Sequence, residues 1–187
     1  MPSPTHVFVV YGESLRKHFR GCAGAYKSER TARGGVRYGG LPRVVVGHSM
    51  GAFIALEVAA ATPDRIASIV LMGVGAAMPV HPDLQTAAGA DDPLAAALMA
   101  GWMHGPDQRF GLNPTPGMSM TGTSRAVIEA CPPGVLGPDL AACAAYQGAV
   151  DAATSLTCPI TLILGSLDRM TPRRAAQPLL DAMPLAS

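Results

Sequence analysis

Ser49 stands between two glycines in Gly47-His48-Ser49-Met50-Gly51, directly after the apolar run "RVVVG". A serine in a G-x-S-x-G pentapeptide is a candidate nucleophile when a buried strand precedes it and a helix follows. The glycines serve geometry, because a sharp strand-to-helix turn leaves no room for side chains at 47 and 51 and strains the backbone of the residue between them. The hydroxyl then stands at a helix N-terminus, where the backbone N–H of Met50 faces an oxyanion forming on a substrate carbonyl. The alternative is that Ser49 only caps the helix. Asp168, in "GSLDRMTP", is the candidate acid: it would accept a hydrogen bond from an imidazole, fix its tautomer and stabilise the imidazolium. It could instead cap the helix after Thr171-Pro172.

These residues need a scaffold. "HVFVV" at 6–10 reads as a short strand, and "RVVVG" at 43–47 as a strand buried on both sides within a parallel sheet. "MGAFIALEVAAATP", 50–63, places Phe53, Leu56 and Ala60 on one helical face before Pro63. "IASIVLMGV", 66–74, is a further buried strand, completing a strand, helix, strand unit and implying a parallel sheet. The sheet returns at "CPITLILGSLDRMTP", 158–172, followed by a helix over 173–183. Residues 78–157 interrupt the alternation with Pro, Gly, Met and Ala and with two expected helices, 123–131 and 138–153. An insertion of this length behaves as a cap or lid, whose Met78, Met99, Met103, Met118 and Met120 either line an adaptable apolar pocket or pack ordinarily.

Composition bounds the rest. The 187 residues, 49% hydrophobic and 14% charged, suit a single domain with a genuine core. A net charge of +1 conceals an asymmetry: residues 1–43 carry eight Lys or Arg against two Glu, and the remainder six against eleven acidic residues. Arg16, Lys17, Arg20, Lys27, Arg30, Arg33, Arg37 and Arg43 lack interleaved aromatic residues or a DNA-binding motif, so a solvated segment is expected rather than a nucleic-acid arm. The run "IASIVLMGVGAAMPV" is too short and too interrupted for a membrane span, and "MPSPTHVFVV" is not a secretory signal. Cys22, Cys131, Cys143 and Cys158 form no C-x-x-C pair, which favours reduced thiols in a soluble cytoplasmic protein.

"VVVGHSMGAFIALEVAAATPDRIASIVLMG" together with "CPITLILGSLDRMTP" resembles the α/β-hydrolase family, in particular its esterase, lipase and C–C hydrolase-like members with a cap after the sixth strand. The likeness covers roughly residues 41–185, with Ser49 and Asp168 in the family's order, 119 positions apart. It implies an α/β class protein: an incomplete α/β-hydrolase fold, mostly parallel sheet with flanking helices and a cap/lid insertion. The expected organisation is an atypical N-terminal segment at 1–43, a core from 44–77 and 158–187, and the cap at 78–157. By the resemblance Ser49 attacks an ester or similar carbonyl compound, Asp168 is the acid after the penultimate strand, and no metal or organic cofactor is required. The loop after 66–74 offers no competing carboxylate. A serine nucleophile also argues against the dehalogenase and epoxide-hydrolase branches, which resemble this fold with an aspartate there.

The chain departs from the family at both ends, as a truncation, deletion or altered reading frame would produce. The family's histidine lies beyond one further strand, and no such strand or histidine follows the helix at 173–183. His48 adjoins the nucleophile, but successive residues on the turn diverge; His6 and His18 lie in the atypical N-terminus and His81 in a Pro-rich loop. His104, in "GWMHGP", is the remaining candidate base. In the family a His-Gly loop supplies the second oxyanion donor; Tyr11-Gly12 stands at that point here, with only 35 positions to Gly47. The alternative function is therefore a catalytically inactive remnant or binding protein of the same fold. Without a further strand, "ITLILG" is expected to form an exposed apolar sheet edge prone to self-association.

Overall fold

The computed structural model describes residues 6–10, the first of these segments by its backbone, together with 43–105 and 117–183. Four strands form one parallel sheet in the order β1-β2-β3-β4: β1 His6–Val10, β2 Arg43–His48, β3 Ile66–Met72 and β4 Ile160–Ile163. Helix α1, Met50–Ala61, leaves directly from the end of β2 and returns the chain to β3 through a short 3₁₀ turn at Pro63–Arg65. Thr62 ends α1 by donating both its backbone N–H and its hydroxyl to the Val58 carbonyl. Pro63 has no N–H with which to continue the helix.

The register explains the core. Val45, Ile69 and Ile160 are paired across β2, β3 and β4, and all three are buried; Gly47 and Leu71, two residues further on, are buried on the same face. Against this face lies α1, with Phe53 and Leu56 fully buried and Ala52, Ala55 and Ala59 allowing the helix backbone close to the sheet. Ala60 is only half-buried. The expectation that β2 is buried on both sides is corrected here: Val44 and Val46 are half-exposed, as is Val70 beside Val46 on β3. Side chains alternate across a strand, so an unbroken apolar run is compatible with one face more deeply covered than the other.

Between β3 and β4 the chain forms α2 Pro82–Gly89, α3 Leu94–Met103, α4 Met120–Glu129, α5 Leu136–Ala145 and α6 Ala149–Thr154. The sequence suggested two helices there. The apolar stretch expected to run as one helix over 138–153 breaks at Tyr146–Gly148, and α2 and α3 were not anticipated. Their local signals are present: His81 Nδ1 accepts from the Asp83 N–H at the start of α2, and Pro82 occupies its first turn. A second apolar cluster, Leu84, Ala87, Ala88 and Ala95 with Trp102 and Leu140 against it, holds the insertion together. α6 belongs elsewhere, since Ala149, Ala152 and Ala153 are buried in the main core against α1. The last helix, α7 Arg173–Ala182, buries Ala176 and Leu179.

The methionines do not gather into one pocket. Met78 is buried in the main core, Met99 packs on the insertion's cluster, and Met103, Met118 and Met120 are exposed. No helix among the described residues is long and apolar enough to cross a membrane.

Candidate active site

Ser49 is the N-cap residue of α1, with φ 53° and ψ −124°, a left-handed conformation that non-glycine residues rarely adopt. It is locked from both sides, because its N–H donates to the Met72 carbonyl at 2.9 Å and its carbonyl accepts from the Ala52 N–H at 2.8 Å. The side chain makes no capping hydrogen bond. A serine placed only to cap would accept from an N–H of the first turn, so the capping reading fails and the hydroxyl is left for another use.

Gly47 shows why the turn needs its flanking glycine. A Cβ at this position would lie 2.4 Å from the Gly51 carbonyl oxygen and 2.7 Å from Ala52 Cα, both backbone atoms that cannot swing aside. Met50 opens α1, and the N–H groups of a first helical turn have no intrahelical acceptor. They lie at the positive end of the helix dipole, next to the serine, where an oxyanion gains most from them.

Asp168 lies in the loop after β4, at the same end of the sheet as Ser49 after β2, because the strands run parallel. Its Oδ1 accepts from the backbone N–H of Met170 and of Thr171, each at 2.9 Å, and its Oδ2 accepts from the Thr171 hydroxyl at 2.8 Å. The carboxylate therefore organises the turn before α7, whose own N-cap is Pro172. Asp168 thus braces the loop before α7 rather than capping that helix, and Oδ2, which accepts one hydroxyl, retains room for a further donor.

His104 closes α3 and its Nε2 lies 2.8 Å from Ser124 Oγ on α4, while the next residue, Gly105, faces Leu167 of the Asp168 loop. His81 packs on Trp102 in a tilted arrangement, with ring centres 5.4 Å apart. Among the described residues no imidazole hydrogen-bonds to Ser49 or to Asp168. The side chains of His6 and His18, and the Tyr11-Gly12 pair proposed for the second oxyanion donor, lie outside the described residues, although β1 ends at Val10 directly opposite Gly47. An open cleft of about 340 Å³ runs between Met103 and Gly105 at the end of α3 and Gly165 to Asp168 of the acid loop. A second cavity, about 290 Å³, lies wholly within the insertion, between Ala88 and Leu136 and away from the serine.

Among the described residues Cys131, Cys143 and Cys158 form no disulfide, and burial pushes the Cys143 thiol up to about 11 and raises Cys158. A protonated buried thiol is a poor nucleophile. Among the described residues no group of three or more His, Cys, Asp or Glu is placed to hold a metal ion.

A strand, a strained serine, a helix, a second strand and a downstream aspartate at the same sheet edge agree with comparison against known proteins. A family model described as alpha/beta hydrolase fold matches residues 37–120. The chain has the α/β-hydrolase fold. Solved structures with this hydrolase fold include a thermophilic esterase from Thermogutta terrifontis, 22% identical with a TM-score of 0.63, covering 78% of this chain and 54% of that one. A lipase-esterase related protein from Clostridium acetobutylicum is 19% identical, TM-score 0.61, covering 78% and 55%. A bromoperoxidase from Bacillus anthracis is 15% identical, TM-score 0.66, covering 78% and 57%. The chain thus spans little more than half the length of these proteins, and no curated protein matches it.

Proposed function

We propose that this hydrolase-fold chain is a serine hydrolase of an ester or similar carbonyl compound, with Ser49 as nucleophile, Asp168 as acid and the Met50 N–H as an oxyanion donor. The observation that carries this reading is Ser49 itself. A non-glycine residue held at φ 53°, its hydroxyl unused by the helix it begins, is strain without structural return, the kind concentrated at functional sites. In the reaction Oγ bonds to the carbonyl carbon, the oxyanion meets the Met50 N–H, and the Oγ proton passes to a base before it reaches the leaving group.

A second reading has its own support: with no described imidazole bonded to Ser49, the chain is a binding protein or inactive remnant of the fold. The difference is large. In a serine triad, loss of the base alone costs roughly a millionfold in turnover, leaving about 10³ to 10⁴ over water from the remaining site. Reaction with a fluorophosphonate probe separates the two. The hydrolase reading expects labelling that Ser49→Ala abolishes; a folded, unlabelled wild-type chain favours the remnant. Self-association through β4, the last strand of the described sheet, belongs to either reading.

A further inference from the structure

Half of the basic side chains among the described residues fall within six consecutive positions. Residues 6–10, 43–105 and 117–183 contain six arginines, no lysine and ten acidic residues, and three of those arginines are Arg169, Arg173 and Arg174. All three are exposed, and none forms an ion pair or a side-chain hydrogen bond with a described residue, whereas Arg125 is held by Glu129 at 2.6 Å. Their placement is costly. Arg173 and Arg174 open α7, which has no acidic residue in its first turn and no capping side chain, and cations at the positive end of a helix dipole raise its energy.

The same segment borders the open cleft. Arg169 directly follows Gly165 to Asp168, which form one wall, and Met103 and Gly105 form the other. Because the strands run parallel, the loop after β4 and the start of α7 share the sheet edge at which Ser49 stands. The Ala76 N–H donates to the Ala175 carbonyl at 2.8 Å, which ties the first turn of α7 to the loop after β3 at that edge. Residues 73–80 of that loop carry no charge, and Asp168 is the one acidic residue in 164–174. Its carboxylate already accepts from Met170 and Thr171 of its own loop. Exposed Met103 and Leu167 make the mouth of the cleft apolar, and the arginines make its flank positive.

We propose that this edge recognises a small ester that carries a second, anionic group, a carboxylate or a phosphate. This rests on the hydrolase reading and names its substrate class: an apolar chain against Met103 and Leu167, and the anion against Arg169, Arg173 and Arg174. A guanidinium stays charged at physiological pH and offers parallel N–H donors that match the paired oxygens of carboxylate and phosphate. The bound anion also offsets the repulsion among three like charges and the excess of positive charge where α7 begins. A cleft of about 340 Å³ lies at the small end of ligand sites, which favours a short chain. The arginines set specificity and break no bond, since attack by Ser49 Oγ is the same on a neutral ester.

The test gives the full chain two esters of one chain length, 4-nitrophenyl hydrogen glutarate and its neutral methyl ester. Wild type is expected to prefer the anionic ester in kcat/KM and to lose that preference as sodium chloride approaches about 1 M, where charges are screened within about 3 Å. Arg169→Gln and Arg173→Gln should each lower the preference about two- to fivefold, and Arg169→Glu, Arg173→Glu and Arg174→Glu together about thirtyfold or more. Acidic residues suit the start of α7, so the urea midpoint of the triple variant is expected to hold or rise; should it fail to fold, the two glutamine variants decide. Hexyl phosphate binding to the Ser49→Ala chain, followed by titration calorimetry, reads the site without turnover and should weaken to a similar extent in the triple variant. Hydrolysis of both esters with no anionic preference, or with one that the arginine variants keep, overturns the proposal and leaves the serine hydrolase standing. Arginine-dependent binding of hexyl phosphate by a chain that hydrolyses neither ester keeps the anion site and sinks the hydrolase reading instead. Neither hydrolysis nor binding overturns the proposal, and so does capture on phosphatidylserine vesicles with neither anionic preference nor binding of dissolved hexyl phosphate, because the arginines then meet a membrane surface.

Discussion

Ser49 offers a stability measurement whose sign tests the strained turn. A non-glycine residue in a sparsely populated backbone region costs about 1–3 kcal/mol, and Ser49 sits at φ 53°, ψ −124° with both backbone groups hydrogen-bonded so that it cannot relax. Ser49→Ala removes the hydroxyl but keeps the Cβ that causes the strain; Ser49→Gly removes both. At an ordinary position glycine is about 0.5–1 kcal/mol worse than alanine, because it gives up more freedom on folding. Subtracting that from the strain relieved leaves Ser49→Gly as stable as Ser49→Ala or more so, by about 0–2.5 kcal/mol. The hydroxyl is absent from both variants, so loss of its solvation or of any substrate contact cancels. Urea unfolding at fixed pH, with the slopes compared to confirm that both variants unfold alike, measures the difference. If alanine proves the more stable by the usual margin, Ser49 is not held at positive φ in the folded protein, and the argument from strain to function fails.

Other positions carry sharp expectations. Gly47→Ala drives a methyl into the backbone of Gly51 and Ala52 and should destabilise by about 3 kcal/mol or more, whereas Gly89→Ala, with nothing within 4 Å of the new methyl, should be neutral or stabilising by up to about 1 kcal/mol; the same urea titrations read both. Tyr146, buried against Phe53, donates its hydroxyl to Glu57 on α1, so Tyr146→Phe should cost about 1–2 kcal/mol, and a Tyr146→Phe, Glu57→Gln cycle should be non-additive. Cys143 titrates near 11 when folded against 9.0 as its ordinary value, so the unfolded chain loses its proton first; its contribution is complete below pH 9 and declines between pH 9 and 11, by about 1 kcal/mol at pH 10. A Cys143→Ala chain should show a correspondingly shallower fall over that window in thermal unfolding. β4 carries no charge or proline, and Ile163 and Leu167 at its end are 53% and 65% exposed; concentration-dependent association in gel filtration, relieved by Ile163→Lys, is the expected result, and a single monomer peak at high concentration counts against it.

The local chemistry was legible in the sequence because it depends on neighbours in the chain. The strand, glycine, serine, glycine, helix order of 43–61 follows from local sterics and hydrophobic periodicity, and Asp168 stands out because a polar loop ends an apolar strand. Helix boundaries in the insertion were less legible. Ala, Met and Leu fill α2, α3 and their connections alike, so periodicity carries little contrast, and the break at Tyr146–Gly148 is set by Tyr146 packing on Phe53 and reaching Glu57, residues some ninety positions earlier.

What the sequence determined by itself is that a serine can be presented at a strand-to-helix turn, since Gly47, Ser49 and Met50 are adjacent and their geometry is local. Tertiary structure alone decided what surrounds that serine. Parallel strand pairing brings the ends of β2, β3 and β4 to one edge, so that His48, Gly73 and Thr171, which are far apart along the chain, meet beside Asp168. No spacing rule announces that side chains from the ends of two strands face one another across a residue of the strand between them. Covalent neighbours fix a turn; only packing across the sheet fixes which polar atoms share a gap.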